Sequence, residues 1–135
     1  MSGVRAVVAG HGDFAAGLVS AVEQITGQGA TFATMTNRDM SPAAITETLE
    51  RHLADGVRVV FTDLPAGSVA IAARRLQRTV PELLVVMGTN LPVLLDFVFG
   101  EALPAVDAAR AAVEKGRAAM QAVGAPAAAG GASAH

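Results

Sequence analysis

The chain has 135 residues, no cysteine and a net charge of −2, with 52% apolar and 16% charged residues. This length fits one domain with a single hydrophobic core, and the apolar fraction excludes a disordered chain. The missing cysteines exclude disulfides, thiol catalysis and cysteine-based metal sites, and the charge pattern argues against a nucleic-acid partner.

Four short β-rich segments alternate with longer helical patterns along the chain. We predict strands at Val4–Ala9, Thr31–Met35, Val57–Thr62 and Leu83–Met87. The first, third and fourth are nearly continuous runs of apolar residues. Such runs are typical of parallel strands that are buried on both faces of a sheet.

The segments between these strands have the spacing of amphipathic helices. Phe14, Leu18, Val22 and Ile25 form one apolar stripe, and Ser41 and Pro42 mark the start of a second helix. Further helices are predicted from Ser68 as N-cap to about Arg78, from Pro92 to Phe99 and from Pro104 to Val123.

This alternation predicts the fold class. Strand–helix–strand units form right-handed crossovers, so we expect a three-layer α/β fold whose sheet is open, mostly parallel and about four strands wide, with helices on both faces. We assign residues 4–123 to this domain and residues 124–135 to a flexible tail rich in alanine and glycine.

Small or polar residues follow each predicted strand. The segments are Gly10-His11-Gly12, Thr36-Asn37-Arg38-Asp39, Thr62-Asp63 with Gly67-Ser68 beyond it, and Gly88-Thr89-Asn90. Open parallel sheets bind ligands at the carboxyl ends of their strands, which share one edge. We therefore expect four side chains to lie close together at that edge, those of His11, Asp63, Ser68 and Asn90.

His11 and Asp63 are the candidate catalytic residues. Glycines on both sides of His11 allow a tight turn that leaves the ring open to a visiting molecule. A carboxylate that accepts a hydrogen bond from Nδ1–H fixes the tautomer and leaves Nε2 free to attack. The alternative interpretation is a simple turn histidine, with an aspartate that only supports its own turn.

Gly67, Ser68 and Asn90 are the candidate phosphate-binding residues. The free N–H groups at the start of a helix suit an anion such as a phosphoryl group, and the Ser68 hydroxyl could add a hydrogen bond. Ser68 is equally suited to act as an N-cap. Asn90 is either a wall of the site or a side chain that stabilises its loop.

Two other kinds of site are disfavoured. No His, Asp and Glu residues have the spacing of a metal site. Gly10-His11-Gly12-Asp13-Phe14-Ala15 fits a dinucleotide-binding pattern, but the second strand does not end in the acidic residue that would hold a ribose, and a histidine in the turn would crowd a pyrophosphate.

Taken in this order and spacing, these motifs resemble the mannose-type EIIA domain of the bacterial sugar phosphotransferase system (PTS), over roughly residues 5–123. The resemblance implies that His11 is phosphorylated, that Asp63 orients it and that Ser68 faces the phosphate. It implies a homodimer that receives phosphate from phospho-HPr and passes it to a histidine of EIIB, with no cofactor. We expect a cytoplasmic protein, since the chain has no signal-peptide pattern and no apolar run long enough for membrane insertion.

Two departures from the family pattern leave alternatives open. The family's loop commonly reads Gly-Gly-Ser-Pro, whereas this chain has Ala66 and Val69 at the first and last of these positions. The tail after Val123 has little β-propensity, so we do not expect the C-terminal strand exchange of some members. The alternatives are a phosphocarrier subunit of a dihydroxyacetone kinase system and a non-catalytic sensor or interaction domain on the same fold.

Overall fold

The computed structural model describes residues 3–126, which contain one sheet of four strands. The strands, numbered along the chain, are β1 (Ala6–Gly10), β2 (Phe32–Thr36), β3 (Val59–Thr62) and β4 (Leu84–Met87). Their order is β2-β1-β3-β4, and all three pairings are parallel. The predicted parallel sheet is confirmed.

Helices cover both faces of this sheet. They are α1 (Phe14–Thr26), α2 (Pro42–Ala54), α3 (Ser68–Leu76), α4 (Leu91–Phe99) and α5 (Ala105–Ala119). Helices α1, α4 and α5 pack on one face, and α2 and α3 pack on the other. The three-layer α/β architecture is therefore confirmed. None of the helices within residues 3–126 combines the length and apolarity needed to cross a membrane.

The apolar runs of the central strands supply both cores. Every residue of β1 is buried, and its side chains alternate between the two faces. Val8 faces the α1–α4–α5 layer with Phe61 and Phe97, whose rings meet edge to face at 5.3 Å between centroids. Val7 faces the other layer, where it packs with Ile45. Continuous rather than alternating apolar sequence is what this double burial requires.

The order of the strands creates a crevice between β1 and β3. From β1 the chain moves outward to β2, then returns to β3 on the opposite side of β1. Helices α1 and α3, which follow β1 and β3, therefore lie on opposite faces of the sheet. Such a reversal opens a ligand-binding crevice at the carboxyl ends of the two strands. Ala9 pairs with Thr62, so His11 and Asp63 both follow at this crevice.

Several helix boundaries differ from the prediction. Helix α3 has Gly67, not Ser68, at its N-cap, and it ends at Leu76. Helix α5 ends at Ala119; its last buried residue is Gly116, and the residues from 117 to 123 are exposed. The predicted tail begins in the described part at residues 124–126, and its remainder, residues 127–135, lies outside the described residues.

Candidate active site

A histidine–aspartate pair spans the crevice between β1 and β3. His11 Nδ1 lies 2.8 Å from Asp63 Oδ2, and the backbone N–H of His11 donates to the same oxygen at 2.9 Å. The His11 side chain is 52% exposed, whereas that of Asp63 is only 15% exposed. The imidazole is therefore anchored by a largely covered carboxylate and remains open to solvent.

Gly10 makes this approach sterically feasible. A Cβ atom at this position would lie 2.9 Å from Asp63 Cγ and 2.7 Å from Phe14 Cδ2, which is closer than real Cβ contacts allow. The missing side chain lets the carboxylate rest against the end of β1. The glycine before His11, read from sequence as a source of backbone freedom, acts here through close approach.

The surroundings of Asp63 favour its ionised form. Burial by itself raises the pKa of this carboxyl, but hydrogen bonds from the backbone and ring of His11 and from the backbone of Leu64 outweigh it, and the pKa falls below its ordinary value of 3.8. A carboxylate only accepts hydrogen bonds, so the proton between the two groups belongs to His11 Nδ1. Nε2 of the neutral ring therefore carries a free lone pair.

The start of α3 lies against the histidine ring. Gly67 has φ +114°, and a Cβ atom there would lie 3.2 Å from His11 Cε1. The ring and this loop border one small hollow, which is lined by His11, Asn37, Asp63, Ala66, Gly67 and Ser68, among others. The free N–H groups of the first turn of α3 and the positive end of its dipole suit an anion there.

The two unusual loop residues have different surroundings. Ala66 is exposed and lines the hollow beside His11. Val69 is 5% exposed and packs in the core between α2, α3 and the sheet. The position that commonly holds proline in the family thus serves here as a core contact of α3.

Asn90 does not join the other predicted site residues. Its Oδ1 accepts a hydrogen bond from Val93 N at 3.1 Å as the N-cap of α4, and its Nδ2 donates to Gly116 O at 2.9 Å. It lines a separate apolar cavity with Met87, Val113 and other residues. Of the two interpretations of Asn90, the structure supports the loop-stabilising one, because α4 lies on the opposite face of the sheet from α3.

Two residues at the same edge were not singled out from sequence. Asn37 follows β2 and donates from Nδ2 to Ser68 Oγ at 3.4 Å. Arg38 extends over the turn after β1, where its Nη2 lies 3.8 Å from Asp13 Oδ1. Their position directly after a strand of the parallel sheet was the signal available in the sequence. It was weak because β2 is the least apolar strand.

A comparison with protein-family models identifies one family. The family model described as PTS system fructose IIA component, EIIA-man, matches residues 5–114. A search of curated proteins finds no significant match. Among solved structures, the mannose/sorbose-specific IIA subunit from Enterococcus faecalis has a TM-score of 0.75 at 22% identity, covering 93% of this chain and 98% of that one.

Two streptococcal structures are similar to the same extent. EIIA from Streptococcus agalactiae gives a TM-score of 0.77 at 20% identity over 88% of this chain and 96% of its own. The PTS IIA protein associated with the fucose utilization operon of Streptococcus pneumoniae gives 0.71 at 19% identity, with 90% and 96% covered. At these identities the structural similarity speaks for the fold alone.

Proposed function

Because the chain belongs to the EIIA-man family of PTS system fructose IIA components, we propose that it is a phosphocarrier whose His11 accepts a phosphoryl group and passes it on. The phosphoryl donor in this proposal is phospho-HPr, and the acceptor is a histidine of a cognate EIIB. The observation that carries the proposal is the hydrogen bond of 2.8 Å between His11 Nδ1 and Asp63 Oδ2, with the ring half exposed.

The transfer step needs no further reagent. The Nε2 lone pair of His11 attacks the phosphorus of the donor's phosphohistidine, and the donor N–P bond breaks with its electron pair returning to the donor's imidazole. The proton on His11 Nδ1 stays in place, so the new phosphohistidine carries a positive ring. The Asp63 carboxylate, 2.8 Å away, stabilises that charge. Positioning and charge stabilisation are the main contributions a protein makes to such a step.

The first turn of α3 is the proposed phosphoryl-binding element. Gly67 lies against the ring, where a Cβ atom would be 3.7 Å from His11 Nε2, so the start of α3 faces the Nε2 side of the imidazole. The Ser68 hydroxyl lies in the same hollow and adds a donor. Asn90 has no part in this proposal, since both of its polar side-chain atoms are engaged in holding α4 and α5.

The remaining expectations stay part of the proposal. We place the protein in the cytoplasm, where it would meet HPr, and we expect a homodimer, as the family resemblance implies. The apolar side chains of Met120 and Val123 are 80% and 88% exposed after the end of α5. A second copy would cover part of this surface, and light scattering after size-exclusion chromatography measures the mass that tests it.

Intact-mass measurement after incubation with phosphoenolpyruvate, enzyme I and HPr tests the central claim. We expect wild type and the control His52→Ala to gain one phosphoryl group and His11→Ala to gain none. His52 is suited as a control because it lies late in α2, away from the hollow. Unchanged labelling of His11→Ala would reject the assignment. An unlabelled wild type would favour the non-catalytic domain instead.

A further inference from the structure

The turn after β2 brings two polar side chains to the edge of the histidine's hollow. Asn37 lines the hollow itself, and Arg38 lies against Gly12, the residue after His11. A Cβ atom at Gly12 would be 3.5 Å from Arg38 Nη2, so the guanidinium rests on the backbone of this turn. The β1 and β2 ends are adjacent because Gly10 pairs with Thr36.

We propose that this turn completes the phosphoryl-binding site, with Arg38 binding the phosphoryl group on His11 and Asn37 positioning the Ser68 hydroxyl toward it. The inference rests on the proposed function, because it concerns the phosphorylated form of His11. It adds two residues from the turn after β2 to a site otherwise built from the segments after β1 and β3 and from the start of α3.

Charge is the reason why we assign Arg38 to the phosphoryl group. The phosphoryl oxygens carry about two negative charges, and they are added beside a turn that already carries the Asp13 carboxylate. The ion pair between Arg38 and Asp13 is loose, with 3.8 Å between Nη2 and Oδ1 and exposed side chains of 60% and 92%. Such a pair is weak, so the guanidinium can leave Asp13 and bind the phosphoryl oxygens, for which its planar set of donors is well suited.

Hydrogen-bond direction provides the reason for Asn37. A serine hydroxyl has one hydrogen to donate and two lone pairs. When Asn37 Nδ2 donates to Ser68 Oγ, at 3.4 Å, the serine hydrogen is left for another acceptor. The hollow that both side chains line is where an anion on His11 would meet it. Asn37 therefore acts through Ser68 and is a positioning residue.

The equilibrium constant for phosphoryl exchange with HPr is the readout that tests this. It depends on the free energies of the separate phosphorylated and unphosphorylated proteins, and a change in docking alone alters the rate but not the equilibrium. Mixtures of the chain with phospho-HPr, approached from both directions, are analysed by intact mass. Arg38→Met is expected to shift the equilibrium about fivefold toward phospho-HPr, the factor that corresponds to about 1 kcal/mol, and Arg38→Lys to restore part of it.

The chain provides a matched control in Arg51→Met. Arg51 also forms an exposed, loose pair, 3.8 Å from Glu47, but on α2 and away from the hollow. Arg51→Met is expected to leave the equilibrium of phosphoryl exchange with HPr unchanged. Equal shifts in both methionine variants, or no shift in Arg38→Met, would overturn the role of Arg38. A wild type without label on His11 would instead refute the proposed function, and this inference with it.

A double-mutant cycle separates the role of Asn37. Asn37→Ala is expected to shift the equilibrium about twofold in wild type, as loss of a weak hydrogen bond would, and to have no effect once Ser68→Ala is present. The same shift in both backgrounds would show that Asn37 does not act through Ser68. Thermal melts of all variants identify any that lose the fold. If Arg38→Met unfolds, Arg38→Lys still tests the role of Arg38.

Discussion

Two corners of the sheet's carboxyl edge have similar sequences, but their polar side chains differ in accessibility. At the first, His11 follows the end of β1 at Gly10, and Asp63 follows the end of β3 at Thr62. At the second, β4 ends at Met87 and Gly88-Thr89-Asn90 follow it. Each corner combines a glycine with polar side chains at the carboxyl end of a parallel strand. At the first corner the ring of His11 is held through Nδ1 and stays half exposed, whereas at the second both polar side-chain atoms of Asn90 are bound to α4 and α5.

Topology explains the difference. The helices after β1 and β3 diverge to opposite faces, which leaves the space between the strand ends open. The helix after β4 is joined by α5, which packs closely along it on the same face. Asn90 is therefore half-buried between these helices, and both of its polar side-chain atoms are bound by them.

The size of a cavity does not identify the chemistry here. The second corner has the larger cavity, about 700 Å³ of open space lined mainly by apolar residues, against about 200 Å³ in the hollow beside His11. The smaller one holds the only histidine–carboxylate pair within residues 3–126. A phosphoryl group delivered by a protein needs an exposed nucleophile and a few donors rather than a deep pocket.

The largest expected difference in phosphorylation rate is between Asp63→Asn and Asn90→Ala. An asparagine at 63 no longer fixes the proton on His11 Nδ1, so the rate of phosphorylation from phospho-HPr should fall by at least about 100-fold with the fold retained. Asn90→Ala removes the cap of α4 and the bond to Gly116, and should cost about 1–2 kcal/mol of unfolding free energy. Its labelling rate should stay near that of wild type.

Quench-flow labelling and urea unfolding measure the two effects. Slower labelling of Asn90→Ala than of Asp63→Asn would contradict the difference between the corners, since the second corner would then take part in phosphoryl transfer. Labelling of Asp63→Asn at the wild-type rate would contradict the role of Asp63 at the first corner.

A second expectation concerns the tight packing of the second corner. A Cβ atom at Gly116 would lie 2.7 Å from Val93 Cγ2 and 2.9 Å from Val93 Cβ. Gly116→Ala gains about 1 kcal/mol in helix propensity, but the overpacking costs about 1–3 kcal/mol because a β-branched side chain cannot move aside easily. We expect a net loss of up to about 2 kcal/mol in urea unfolding, with the labelling rate unchanged. A more stable variant would mean that α4 and α5 can separate.

A third pair compares one glycine from each corner. Gly67 (φ +114°) and Gly88 (φ +77°) both have backbones that an alanine adopts only with strain, of about 1–2 kcal/mol. At Gly67 the added Cβ also presses on His11, whereas at Gly88 it meets open space. We expect similar losses of stability, but about tenfold slower labelling only in Gly67→Ala, because the displaced ring is no longer aligned for attack. Equal labelling rates in the two variants would contradict this.

The sequence predicted the parts of this molecule that depend on local pattern. The buried strands β1 and β3, the cap at Ser41 and the pairing of His11 with Asp63 all follow from residue type and position in chain order. The hydrogen bond from Ala44 N to Ser41 Oγ and the 2.8 Å contact of His11 confirm the last two. The prediction that β4 is buried on both faces was wrong, because β4 is an edge strand and is only partly buried. Parallel strands place their carboxyl ends together, so adjacency at that edge could be expected without coordinates.

The parts that the sequence did not reveal depend on which helices cover which strand end. Asn90 follows a strand as Asp63 does, and only the packing of α5 shows that its side chain is engaged. Arg38 and Asn37 lie 25 and 31 residues from the side chains they approach, those of Asp13 in the turn after β1 and Ser68 in α3, and no periodicity links them. Both are consequences of tertiary placement, which local patterns do not encode.

The smallest expected effect is a pH dependence that only the first corner has. The pKa of Asp63 is lower in the folded protein than its ordinary value of 3.8, because its hydrogen bonds with His11 and Leu64 outweigh burial. The stability that this group contributes is therefore fully present only well above its ordinary pKa of 3.8, at about pH 5, and is lost as the pH falls through the folded-state pKa. Wild type and Asn90→Ala should lose unfolding free energy in parallel over this range, and Asp63→Asn should lose less. Urea unfolding at intervals from pH 5 to pH 2.5 measures the three slopes, and an equally steep slope for Asp63→Asn would show that the carboxylate at the crevice is not the group that titrates.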